Sequence, residues 1–399
     1  MTACWPTQLL AEACQIKPPK SEARRYLAAT DLVSFAPMED LSIDQKLLVP
    51  KGTRALADVA GSYTYFADGD VLLAKITPCF ENGKLGIAAN LTNGVGFGSS
   101  EYMVFRPSPA LGKVWLYYYL SRETFRTEGA ARMSGAVGHK CVAKEFIDAY
   151  PIPVPPLPEQ QRIVGILDEA FDGIATAKAN AEKNLQNARA LFESHLQSVF
   201  TQQGEGWKSG KISEIAKRSL GKMLDKAKNK GEPQPYLRNI NVRWFAFDLS
   251  DLLQMPFLAS ESEKYTAVRG DVLICEGGYP GRAAIWVEDY PIYFQKALHR
   301  VRFDELEHNK WFLYYLYLQD KNGELKQHFS GTGIQHFTGE VLARFELPLP
   351  PLRDLRRLIA KFDELSQETQ RLESLYQRKL TALDELKKSL LHQAFSGAL

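Results

Sequence analysis

Residues 151–204 and 346–399 superimpose at an offset of 195 positions without a gap. Each segment opens on an apolar–proline alternation (PIPVPPLPEQQ, ELPLPPLRDLR), passes through Pro-Pro-Leu, followed in the first copy by Pro158, and then runs for about 45 residues without another proline. A proline cluster before a long proline-free tract reads as an extended lead-in feeding a helix, with Pro158 tolerated in the first turn. A chain that carries this module twice is constrained to a duplicated architecture.

The duplication reaches beyond the helices. Trp5 and Trp207 head similar short segments, and YLAATDLVSF (26–35) aligns ungapped with YLRNINVRWF (236–245). GDVLLAKI (69–76) matches GDVLICEG (270–277), WLYYYL (115–120) matches WFLYYL (311–316), and MSGAVGH (133–139) matches FSGTGIQ (329–335). The GDV runs predict strands entered through a Gly-Asp turn, and 101–107 and 297–303 predict further strands. The tracts 113–126 and 310–319 predict a buried helix, because Trp115, Tyr118 and Tyr119 share one face. Segments 81–100, 276–282 and 330–338, rich in Gly, Ser and Asn, predict loops.

Within the second long tract Leu358, Phe362, Leu365, Thr369, Leu372, Tyr376, Lys379, Leu383, Leu386 and Leu390 form a heptad seam. The matching positions of the first are Ile163, Leu167, Ala170, Ile174, Ala177, Ala181, Asn184, Ala188, Leu191 and His195. Large side chains on one stripe and small ones on the other predict an intramolecular pair. A pseudo-two-fold relation between the halves makes that pair antiparallel, a rod of roughly 65 Å at 1.5 Å per residue.

Composition narrows the function classes. With 399 residues, 45% apolar and 11% aromatic, the chain can build several cores, and no apolar stretch approaches the roughly 20 residues of a membrane span. The start lacks a signal-peptide pattern, which predicts a cytoplasmic protein. Five scattered cysteines indicate neither zinc nor a disulfide framework. The net charge of +2 is uninformative, but residues 217–243 hold eight Lys/Arg against two acids, which fits either a polyanion contact or a solvated loop. No phosphate loop, dinucleotide fingerprint, HExxH, GxSxG or kinase set occurs, so the expectation is a chain without catalytic activity, metal or cofactor of its own.

The doubled globule, the Pro-Pro-Leu lead-in, Glu-Gln-Gln-Arg-Ile-Val (159–164) opening the helix, and GDVLICEGGYPGRAAIW (270–286) together resemble the specificity subunit of type I restriction-modification enzymes. Arg353-Asp354-Leu355-Arg356 in place of Pro158-Glu159-Gln160-Gln161 departs from that pattern in the second copy. The resemblance implies an α+β chain: a target-recognition domain at 1–157, a spacer helix at 158–203, a second such domain at 204–351 and a second helix at 352–399. The helices would form an antiparallel coiled coil. It further implies that each domain reads one half of a bipartite, asymmetric duplex DNA target. The helices would space the domains and dock two methyltransferase subunits that carry S-adenosylmethionine. Two translocase–nuclease subunits using ATP and Mg would complete the assembly. Two other readings stay open: a reader subunit of a type II-like system, and a coiled-coil adaptor that binds no DNA.

A DNA reader needs donors and acceptors on loops or strands that enter the major groove. In the first domain the candidates are Lys75, Thr77, Asn82 and Lys84 after the GDV strand, then Arg132, Ser134, His139 and Lys140. In the second they are Tyr279, Arg282, Gln295, Lys296, His299, Arg300, Thr332, Gln335 and His336, with Arg282 and Gln295 preferred as base readers. Lys222, Lys226 and Lys228 are the candidates for phosphate.

Overall fold

The computed structural model describes every residue except 1–4, 44, 137, 226, 228, 332 and 334. The chain divides into two compact units, Met1–Ala181 with Arg378–Leu399, and Glu182–Gln377. Each combines a globule with part of both long helices, Leu157–Gln202 and Leu352–Ser396.

In the first unit one sheet runs in the order Cys14–Ile16, Tyr102–Pro107, Val71–Ala74, Leu85–Ala88, Leu47–Leu48. A second runs Gly52–Ala55, Leu32–Ala36, Val95–Gly98, Thr64–Ala67. Strand Val71–Ala74 is buried throughout because its alternating side chains serve two cores. Val71 and Leu73 face Phe105 and Trp115, while Leu72 and Ala74 face Phe66 and Tyr102. The second unit repeats the plan with the orders Ala216–Leu220, Leu298–Phe303, Val272–Cys275, Ala283–Ile285 and Leu253–Phe257, Glu232–Leu237, Ile292–Phe294, Thr266–Ala267.

The Gly-Asp turn has a physical reason. Gly69 and Gly270 take left-handed φ angles of 90° and 94°. The next residue, buried Asp70 or Asp271, accepts from the backbone N–H of Ala67 or Val268, at 2.8 Å in both. It also holds a guanidinium in a two-pronged pair, Arg106 at 2.7 and 2.8 Å and Arg302 at 2.7 and 2.6 Å.

The proline lead-ins pair with the start of each unit, Thr7–Leu9 with Pro151–Pro153 and Lys208–Lys211 with Glu346–Leu349. Matching aromatic residues then hook each globule to its helix. Trp115 and Trp311 donate through Nε1 to the carbonyls of Pro153 (2.9 Å) and Pro348 (2.6 Å), and the hydroxyls of Tyr118 and Tyr314 donate to Asp168 and Asp363. In the first unit Arg162 reaches the Leu399 carbonyl and Lys178 pairs with Asp384; in the second Arg189 pairs with Glu373 and Phe200 packs near Phe362. Both sets of contacts are antiparallel.

Three sequence expectations are corrected. Segment 81–100 is not a loop: it contains strands Leu85–Ala88 and Val95–Gly98. Its glycines are there for close packing, since a Cβ on Gly96 would strike the Phe66 ring and one on Gly98 the Ala36 carbonyl. The alignment of 26–35 with 236–245 fails as well. Phe35 and Ala36 pair in parallel with Phe97 and Gly98, as Tyr236 and Leu237 do with Tyr293 and Phe294, so the true counterpart of Leu32–Ala36 is Glu232–Leu237. Finally, the seam drifts. Beyond Ala181 the buried positions are Ala188, Phe192, Leu196 and Phe200, whereas Leu191 is 66% and Leu386 46% exposed, and Asn184 and Lys379 face solvent. A straight helix turns every 3.6 residues, so a 3.5-residue stripe slips by about 20° per heptad.

Burial pushes the thiols of Cys14 up to about 12 and Cys275 up to about 11, so neither ionises near neutral pH. Among the described residues no helix is long and apolar enough to cross a membrane.

Candidate nucleic-acid interface

Beyond the GDV strand the first unit continues its ladder of hydrogen bonds. The Lys75 N–H donates to the Glu101 carbonyl (3.0 Å), the Val142 N–H to the Lys75 carbonyl (2.9 Å) and the Thr77 N–H to the Lys140 carbonyl (2.9 Å). These bonds fix the hairpin Met133–Ala136/His139–Val142 beside residues 75–77. The second unit does the same: the Glu276 N–H donates to the Ala297 carbonyl (2.8 Å), and the Phe337 N–H to the Glu276 carbonyl (2.8 Å). Ser330 and His336 exchange bonds of 3.0 and 2.9 Å, as Ser134 pairs with Cys141. The strand registers and these bonds therefore set Lys75 against Glu276, Glu101 against Ala297, Lys140 against Gln335 and Cys141 against His336. One main-chain frame carries two different sets of side chains.

Of the first-unit candidates, Asn82, Ser134, His139 and Lys140 are exposed. Arg132 is exposed too, donating to the Glu128 carbonyl (2.9 Å) with its guanidinium over Phe146. Lys75 leans toward Glu101 at 3.7 Å, Thr77 donates to Glu81 (2.8 Å), and Lys84 is tied to the Met38 carbonyl (2.8 Å). In the second unit Lys296 and Gln335 are exposed, while Gln295 and His336 are half-buried, with His336 beside Gly277. Tyr279 is exposed and donates to Asp320 (3.3 Å), which also accepts from the Trp244 indole (3.2 Å).

Four candidates change role. Lys222 is buried, paired with Glu261 at 2.6 Å and bonded to the Pro256 carbonyl at 2.9 Å, so it does not offer its charge to a phosphate. His299 and Arg300 sit mid-strand where the first unit has core residues Met103 and Val104. The His299 Nε2 lies 3.1 Å from the Phe337 carbonyl, and burial holds its pKa below the ordinary histidine value. Arg300 donates to the carbonyls of Glu263 and Thr266. Arg282 turns back over Tyr279 and donates to the Asn239 carbonyl (3.1 Å), bracing the loop instead of projecting from it. Its Nε is buried without a partner among the described residues. Lys226, Lys228 and Thr332 lie outside the described residues.

Sequence reasoning missed two residues. Asn239 donates from Nδ2 to the Gly277 carbonyl (3.1 Å) and receives Arg282, so it clasps the 277–282 loop. Its only signal was a small polar residue just after a strand. Nothing in the sequence set Glu276 apart from the other acids of the chain.

The sequence matches the type I restriction modification DNA specificity domain over residues 45–186 and 204–380, one stretch in each half. The chain belongs to this family. The curated relatives that it matches are named as specificity subunits of type I restriction enzymes. It is 35% identical over 185 residues to the type I restriction enzyme EcoAI specificity subunit of Escherichia coli, a match covering 46% of this chain and 30% of that protein. It is 41% identical over 134 residues to the EcoEI specificity subunit of the same organism, covering 33% and 23%. The matched regions thus span less than a third of those relatives. A solved structure from a study of complex assembly and conformational transition in the type I R-M system shares the fold. It has a TM-score of 0.80 at 19% identity and covers 99% of this chain and 98% of its own. The HsdS subunit of Thermoanaerobacter tengcongensis does so with a TM-score of 0.65 at 18% identity, covering 99% and 97%.

Proposed function

We propose that this specificity subunit reads a bipartite, asymmetric DNA target, one half with each unit. The observation that carries the reading is the shared frame: matching main-chain bonds hold Lys75 between Glu101 and Val142 in one unit and Glu276 between Ala297 and Phe337 in the other, while the side chains at the matching places differ. Base edges in the major groove differ in donors and acceptors, so a fixed frame with exchanged side chains suits two different half-sites. The exposed His139 and Lys140 hairpin and the 277–282 loop, clasped by Asn239, are the groove-facing elements. In the same reading the long helices set the unread gap and dock two methyltransferase subunits, which bring S-adenosylmethionine. Two translocase–nuclease subunits bring ATP and Mg. The test is a domain swap: residues 210–345 are replaced by the same region of a relative, and methylated sites are sequenced from the assembled complex. One half of the motif changes while the other stays; a motif unchanged in both halves rejects the reading.

A further inference from the structure

Glu276 stands at the rim of the second unit's site with its backbone bonded on both sides, to Ala297 and to Phe337. Its place is therefore set by the sheet. The counterpart Lys75 leans on Glu101, but in the second unit Ala297 occupies that position and offers nothing. Among the described residues the half-buried Glu276 carboxylate makes no hydrogen bond or ion pair, and the titratable neighbour it does feel, buried His299, has its ring nitrogen Nε2 beside the Phe337 carbonyl. A carboxylate is an acceptor only, and beside a phosphate backbone it is repelled. In the major groove the groups that satisfy it are exocyclic amines, N4 of cytosine and N6 of adenine.

We infer that Glu276 is a specificity-determining residue of the second half-site, accepting a hydrogen bond from the amino group of a cytosine or adenine. This rests on the half-site reading above and names the chemistry of one of its positions.

The experiment uses the full complex assembled with Glu276→Ala, Glu276→Gln or Glu276→Lys, selecting from random duplex DNA and then sequencing methylated sites. With Glu276→Ala, selection at a single base pair of the second half relaxes. Preference for the parent target falls about 5- to 150-fold, the range for losing one good base contact. Glu276→Lys moves the preference at that same pair toward guanine. Glu276→Gln is isosteric and leaves folding undisturbed, and it too alters selection only there. An unaltered motif with all three variants, or a uniform change across all sequences, overturns the inference. If the parent complex itself selects no base in the second half, the half-site reading falls first.

Discussion

Gln160 allows a worked test of how the first globule grips its helix. Its side chain is 1% exposed and makes three hydrogen bonds. The Oε1 accepts from the Gly112 N–H (2.8 Å), and the Nε2 donates to the carbonyls of Ala110 (2.8 Å) and Pro155 (2.7 Å). In Gln160→Ala the exposed Ala110 carbonyl recovers water, but the Gly112 N–H and buried Pro155 carbonyl do not. Two stranded groups at about 1 kcal/mol each, with about 1 kcal/mol more for the void, give a loss of about 3 kcal/mol. Since 1.4 kcal/mol is tenfold, opening at the helix start becomes about 100-fold more frequent. Hydrogen exchange by mass spectrometry reads this directly. Peptides across 157–167 should lose that much protection while those across 352–362, where Leu355 fills the matching position, keep theirs. Gln160→Leu restores volume but not hydrogen bonds and should lose most of the same protection. Parent-like protection in Gln160→Leu would refute the hydrogen-bond account.

Two other predictions concern pH and salt. Burial holds the pKa of His299 and of His308 below the ordinary value of 6.5, so below that pH the unfolded chain binds protons that the folded chain does not. Stability is full above pH 6.5 and declines as pH falls beneath it. Desolvation is the largest cause for His299, Arg218 and Lys296 act with it, and Glu276 and the Phe337 carbonyl act against it. Denaturant unfolding at several pH values should show the decline in the second unit, and His299→Met, copying Met103, should lessen it to the part that His308 contributes; an unchanged slope contradicts the assignment. Separately, replacing the exposed Lys296 in Lys296→Ala should weaken DNA binding by the complex on all sequences and reduce the slope of log K against log salt by about 1. A constant slope would remove Lys296 from the interface.

The sequence made the duplication, the GDV strands, the buried aromatic helices and both long helices legible, because each rests on periodicity or on a residue with few substitutes. The strands Leu85–Ala88 and Val95–Gly98 were hidden because their glycines serve packing against Phe66 and Tyr102, a demand that only distant residues impose. The Tyr-Leu pairs at 26 and 236 misled since a two-residue identity outweighed topology that no local pattern reveals. The site was partly legible. The loops and hairpin lie where the motifs placed them, yet Lys222, His299, Arg300 and Arg282 were chosen for their charge and hydrogen-bonding capacity alone. Whether a cation faces solvent or pairs with a carboxylate depends on partners such as Glu261, which lies 39 positions from Lys222 in the chain.

The frame that joins residues 75–77 to 140–142, and 276 to 337, is made by peptide groups, which every residue except proline supplies alike. Mutation at the projecting positions therefore leaves the frame in place. On the half-site reading proposed above, the two units carry the frame independently, so one half of the target could change while the other is held and the chain stays folded throughout.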